Sequence, residues 1–136
     1  MDAALRDALK TLRNGLLRLH KSLLDSERST YERDVARINS TGEYLSLVMN
    51  DPWFAYLHEL SEFIVLVDET LDQKEPEPGT DADAGRLLVK ARELIAPSEN
   101  TTGFRRKYFE AMQRDPAVVL AHRDMIQVFE TLNDGR

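Results

Sequence analysis

Leu5, Leu9, Leu12, Leu16, Leu19 and Leu23 recur at alternating steps of four and three, the spacing of one face of an α-helix. Beyond Leu23 the stripe drifts through Leu24, Tyr31, Val35 and Ile38, as a straight helix drifts against a seven-residue repeat. Lys21/Asp25 and Arg28/Glu32 stand at i,i+4 on the remaining faces. Gly15 is the one glycine inside this stretch, and no proline precedes Pro52. The pattern predicts one long helix ending near Asn39-Ser40-Thr41-Gly42, where turn-forming residues cluster.

Ser40 followed by Glu43 has capping-box spacing and predicts a short second helix over Glu43 to Met49. Asp51-Pro52 then opens a third, because Asp51 can accept from free N–H groups and Pro52 has none to leave unpaired. Its stripe is Trp53, Leu57, Leu60, Ile64, Val67 and Leu71, widened by Phe54, Tyr56, Phe63 and Leu66. This is the most apolar helix, and it is expected at the centre of the bundle. The β-branched Ile64, Val65 and Val67 raise a strand alternative, which the sustained helical period argues against.

Residues 73–85, QKEPEPGTDADAG, combine two prolines, two glycines and several acids, and are expected to form a mobile acidic loop. Thr80 or Asp81 can cap the next helix, which carries Leu87, Leu88, Ala91, Leu94 and Ile95 and stops before Pro97. After a turn at Ser98 to Gly103 comes a short helix with Phe104, Tyr108, Phe109 and Met112. Asp115-Pro116 opens the last, with Val118, His122, Met125, Phe129 and Leu132 on one stripe. Residues 1–136 are thus expected to form a single all-α domain, an up-and-down helical bundle of three or four long helices and two short connecting ones. At an offset of 64 residues Tyr44, Asp51, Pro52 and His58 echo Tyr108, Asp115, Pro116 and His122. That is either a pseudo-repeat or a coincidence of common helix openings.

Composition narrows the functions. The chain of 136 residues has no cysteine, which excludes thiol chemistry and cysteine-held metal centres. Its 18 basic against 24 acidic residues give −6, a poor field for binding a nucleic acid backbone. The longest apolar run, Phe63 to Val67, is far below the ~20 residues of a membrane span. The acid-containing start MDAALRDALK lacks a signal-peptide core, and the expected setting is cytoplasmic. The charge is uneven: residues 1–40 carry eight Lys/Arg and six Asp/Glu (+2), 41–85 one and eleven (−10), and 86–136 nine and seven (+2). Acidic middle and basic flanks are expected to pack on one another.

Candidate chemistry is sparse. His20, His58 and His122 fall on three helices, but Leu17, Ala55 and Val119 precede them by three, so the Glu-x-x-His pattern of di-iron bundles is missing. No metal or cofactor is expected. Glu59, Glu62, Asp68, Glu69 and Asp72 read as a solvated face or as partners of the basic flanks rather than an acid–base pair. Arg105-Arg106-Lys107 is the one basic triplet, and Arg106–Glu110–Arg114 has the spacing of an ordinary charge ladder. No serine sits in a nucleophile elbow and no glycine-rich phosphate loop exists. Aromatics at the Asp51-Pro52-Trp53 helix start, with Tyr44 beside them, can line a pocket or plug the bundle end.

The segment DPWFAYLHELSEFIVLVDE, preceded by LLRLHKSLLDSERSTYER and succeeded by RDPAVVLAH, resembles a group of small all-helical bacterial proteins with no assigned activity. The matching residues are Asp51, Pro52, Trp53, Phe54, Leu57, Ser61, Asp68 and Glu69. The resemblance implies a bacterial cytosolic setting and no particular chemistry. The leading expectation is a non-enzymatic interaction or regulatory module. It would form a homodimer if the Leu5–Leu23 stripe, about 27 Å long, exceeds what the other helices cover. The alternative is a small-ligand site at Tyr44, Trp53, Phe54, His58 and His122. An enzyme ranks last, since no acid–base or nucleophile set emerges.

Overall fold

Capping side chains start most of the helices. The structure, a computed structural model, describes residues 2–72 and 80–134. Asp2 accepts from the Ala4 N–H at 2.7 Å and opens α1 (Ala3–Asp34). Ser40 accepts from the Glu43 N–H at 3.1 Å and opens α2 (Thr41–Asn50), while Glu43 reaches back to the Asn39 N–H. Asp51 and Asp115 each accept from the N–H two residues on, both at 2.9 Å. The first starts a 3-10 turn, Pro52–Phe54, and the second starts α6 (Pro116–Asp134). Between them lie α3 (Leu57–Leu71), α4 (Thr80–Leu94) and α5 (Phe104–Arg114). The echo between the halves therefore extends to the caps but not to the elements they open, a 3-10 turn in one half and a long helix in the other.

Three boundaries differ from the sequence pattern. The first helix ends at Asp34, not near Asn39. The N–H groups of Val35 and Ala36 both bond Tyr31 O, and the Glu32 carboxylate takes the Ile38 N–H at 3.2 Å. That capture turns the chain, burying Ile38 and leaving Val35, nominally on the stripe, exposed. The Asp51-Pro52 segment is not one continuous helix, because the 3-10 turn holds it at three residues per turn before α3 begins. Leu66, expected to widen the stripe, faces solvent. Residues 80–85, expected in the loop, are helical, and Asp81 accepts from the Asp2 N–H at 2.9 Å. Residues 73–79 of that loop lie outside the described residues.

Cross-helix pairs give the topology. Along α1, Glu27, His20, Arg13 and Arg6 meet Tyr56, Ser61, Asp68 and the Leu71 carbonyl in turn, so α3 runs antiparallel to α1. Ser22 bonds the Ala117 carbonyl and Gly15 faces Met125, so α6 is antiparallel to α1 as well. Asp2 meets Asp81, and farther along α1 Ala4 to Thr11 lie beside Gly85 to Arg92, so α4 runs parallel to it. The result is an all-α bundle of four long helices, up-down-up-down, with α2 and α5 as short connectors. The shared element is α1, which packs against α3, α4 and α6. The expectation that the Trp53–Leu71 helix holds the centre is thereby corrected: α3 is buried on one side only and leaves Val65 and Leu66 exposed on the other.

From Leu9 to Leu23 the leucine stripe is buried within the bundle. Leu9, Leu12, Leu16, Leu19 and Leu23 are at most 1% exposed, while Leu5 at the head of the stripe is half-buried beside an open hollow. Ahead of α5, Gly103 adopts φ 75°, ψ −146°, a region that side chains disfavour by about 1–3 kcal/mol. Gly103→Ala is expected to lower stability by that amount in urea unfolding. An unchanged midpoint would show that the turn relaxes freely.

Candidate functional site

At the end of the bundle where α1 gives way to α2, the predicted aromatic group packs on itself. Phe54 is fully buried between Tyr31 (ring centroids 5.9 Å) and Tyr44 (6.2 Å), and Trp53 meets Tyr31 edge-on at 5.6 Å. Tyr44 donates its hydroxyl to the Leu24 carbonyl at 3.4 Å, and the Arg28 guanidinium lies 4.6 Å from its ring centre. His58 donates from Nε2 to the Val48 carbonyl at 2.8 Å, tying α3 to α2. Tyr44, Trp53 and Phe54 thus come together, with Tyr31 as a fourth ring, and act as a plug. Trp53 Nε1 is the buried side-chain polar atom left without a partner among the described residues.

The three histidines serve separate contacts. Ser61 Oγ lies 3.2 Å from the Leu57 carbonyl and shares a hydrogen bond with His20 Nε2 at 2.8 Å, linking α1 to α3. Burial holds the His20 imidazole below its ordinary value. His122 is not with the other predicted site residues. It sits on α6 with Nδ1 2.6 Å from the Tyr108 hydroxyl, the two rings edge-on at 5.4 Å. Among the described residues no three His, Cys, Asp or Glu side chains converge on a metal position.

A polar cluster that the sequence pattern did not single out lies deeper. Glu27 is 5% exposed on α1, and its Oε2 accepts from the Tyr56 hydroxyl and from Arg114, each at 2.5 Å. Burial first, then the neighbouring carboxylate and its hydrogen bond, push the Tyr56 hydroxyl far up, so it stays protonated and donates. The expected Arg106–Glu110–Arg114 ladder is only half present. Arg106 pairs with Glu110 at 3.1 Å, while Arg114 leaves the helix surface for Glu27. A signal did exist: Glu27 falls four residues after Leu23, an acid on the leucine stripe. From Tyr56 the rings of Phe104 (6.0 Å) and Tyr108 (5.5 Å) run in file to His122.

That file ends at a trough between α4 and α6. One hollow of about 610 Å³ opens among α1, α4 and α6, walled by Leu5, Ala8, Leu88, Val89, Phe129 and Leu132 with Asp7 nearby. A second of about 440 Å³ is lined by Ile95, Pro97, His122, Ile126 and Phe129 with Glu130. Arg92 and Phe129 belong to both, and the Arg92 guanidinium sits 5.1 Å from the Phe129 ring centre. Val89 and Ile126 are exposed beside them. The two hollows adjoin along α4 and α6 at Arg92 and Phe129, and neither is lined by Tyr44, Trp53, Phe54 or His58. No helix among the described residues is long and apolar enough to cross a membrane. Comparison of the chain with protein-family models, with curated proteins and with solved structures finds no match.

Proposed function

We propose that this chain is a non-enzymatic binding module that holds an amphipathic helix of a partner protein in the trough between α4 and α6. The observation that carries this reading is that two largely apolar hollows lie in line along α4 and α6 and adjoin at Arg92 and Phe129. A small-molecule pocket encloses most of its ligand, whereas two open hollows in line along a helix pair suit a helix laid lengthwise. From His122 to Leu132, α6 rises about 15 Å, close to three helical turns. A partner helix with apolar residues at i, i+3 or i+4, and i+7 would reach both hollows. Asp7 and Glu130 beside the apolar lining offer acidic contacts. The groups best suited to chemistry are engaged with one another: Glu27 with Tyr56 and Arg114, Tyr108 with His122, and Ser61 with His20.

The test is site-specific photo-cross-linking of the full chain in its own cells. A photoreactive residue at Val89 is compared with one at Leu17, which is also exposed but does not line either hollow. The expected result is one partner peptide with a helical apolar period, linked from Val89, absent from Leu17 and lost with Ile126→Arg. Links to a second copy of the chain would replace the reading with self-association. The same adducts from both positions would overturn it.

A further inference from the structure

We propose that Tyr108 and His122 form a proton-operated latch on the trough wall, closed while the imidazole is neutral and opened when it takes up a proton. Tyr108 is fully buried, and His122 Nδ1, 2.6 Å away, is the hydrogen-bond partner of its hydroxyl among the described residues. A buried hydroxyl must give its proton to an acceptor. The hydroxyl therefore donates to Nδ1, and the imidazole carries its own proton on Nε2. Protonation would put a second N–H on Nδ1, pointing at the tyrosine oxygen. The tyrosine proton would then have no acceptor among the described residues, an arrangement that costs the desolvation of a buried polar group. The ring is released instead, and it is one wall of the 440 Å³ hollow.

The surroundings favour the neutral ring. From α5, Tyr108 stays a donor because burial pushes its hydroxyl up. From α4, the Arg92 cation lines the same hollow, and from α6 itself Glu130 opposes it. α1 meets α6 on another face, at Gly15–Met125 and Ser22–Ala117, and its Arg18 and Lys21 line a separate hollow beside Asp115. Burial holds the imidazole below its ordinary 6.5. The unfolded chain takes up this proton near 6.5, and the folded chain only at lower pH. The histidine's contribution to stability is thus present above that value and fades as pH falls below it.

The consequence for partner binding rests on the function proposed above, but the latch is a property of the free chain and is tested without a partner. The measurement is NMR of the full protein with 15N-labelled histidine and methyl-labelled isoleucine, from pH 8 downward. The expected result has three parts. His122 Nδ1 is unprotonated and Nε2 protonated at pH 8; its titration midpoint lies below 6.5; and the Ile126 methyls shift with that same midpoint. In Tyr108→Phe the midpoint moves upward. In His122→Asn, which keeps an acceptor near Nδ1 but cannot titrate, the Ile126 response disappears while the fold is kept. A proton on Nδ1 at pH 8, a midpoint at or above the ordinary value, or Ile126 methyls indifferent to His122 would each overturn the latch. Loss of the Val89 cross-link with an intact latch would instead remove only the proposed function.

Discussion

Arg114→Met is expected to destabilise the bundle by about 3 kcal/mol, roughly a 10 °C fall in Tm for a domain of this size. The substitution removes the cation and leaves the Glu27 carboxylate, 5% exposed, with the Tyr56 hydroxyl still donating to it. Stranding one half of a buried ion pair typically costs 3–5 kcal/mol. The Arg114 side chain is itself 31% exposed, so part of the pair's interaction is screened and the low end applies. The decisive comparison is the same substitution in a Glu27→Gln background, where the amide still accepts from Tyr56 but carries no charge. There the cost should fall to about 1 kcal/mol or less. Equal costs in the two backgrounds would show that Arg114 acts through packing and not through Glu27.

Gly15→Leu should cost as much or more. A Cβ built on Gly15 would lie 2.9 Å from Met125 Sδ and 3.4 Å from Val128 Cγ2. The sulfur belongs to a flexible side chain, so alanine can be accommodated by a small shift of Met125. Alanine also recovers up to about 1 kcal/mol of helix propensity. Gly15→Ala is therefore close to neutral. Leucine adds four carbons where one already touches, and overpacking of a filled core costs about 1–3 kcal/mol or more. An expected loss of at least about 3 kcal/mol in urea unfolding separates the two variants. Similar stability for both would mean that α6 can move away from α1, and the close approach at this position would then not be a constraint.

The same residues show what could and could not be read from the chain. Gly15 looks like a flaw in an otherwise uninterrupted helix, a residue that only weakens it. Its reason lies 110 residues away, in Met125, where α6 comes close to α1. Arg114 fits an i,i+4 ladder with Glu110, and local spacing gives no hint that it prefers a carboxylate 87 positions earlier. The aromatic group at Trp53 was legible as a cluster, but whether rings line a cavity or fill it depends on a fourth ring, Tyr31, from another helix. The trough was not legible at all, since its two walls are separated by the α4–α5 turn and the whole of α5.

The net charge reads differently against the fold. The −10 middle and the +2 flanks do meet, through Arg13–Asp68 and the hydrogen bond from Arg6 to the Leu71 carbonyl. Yet Glu59, Glu62, Glu69 and Asp72 remain exposed. The most buried ion pair among the described residues, Glu27–Arg114, joins one flank to the other, with Tyr56 of the middle donating to the same carboxylate.

The helices, their apolar faces and the caps that start them were already settled in the order of the amino acids. They depend on residues within three or four positions of each other, where the helical period and side-chain reach act without help from the rest of the chain. Packing alone settled which helix the others share, which charge finds which partner, and where the surface stays hollow. Each of these is set by how closely distant segments can approach, and that distance is a property of the packed bundle.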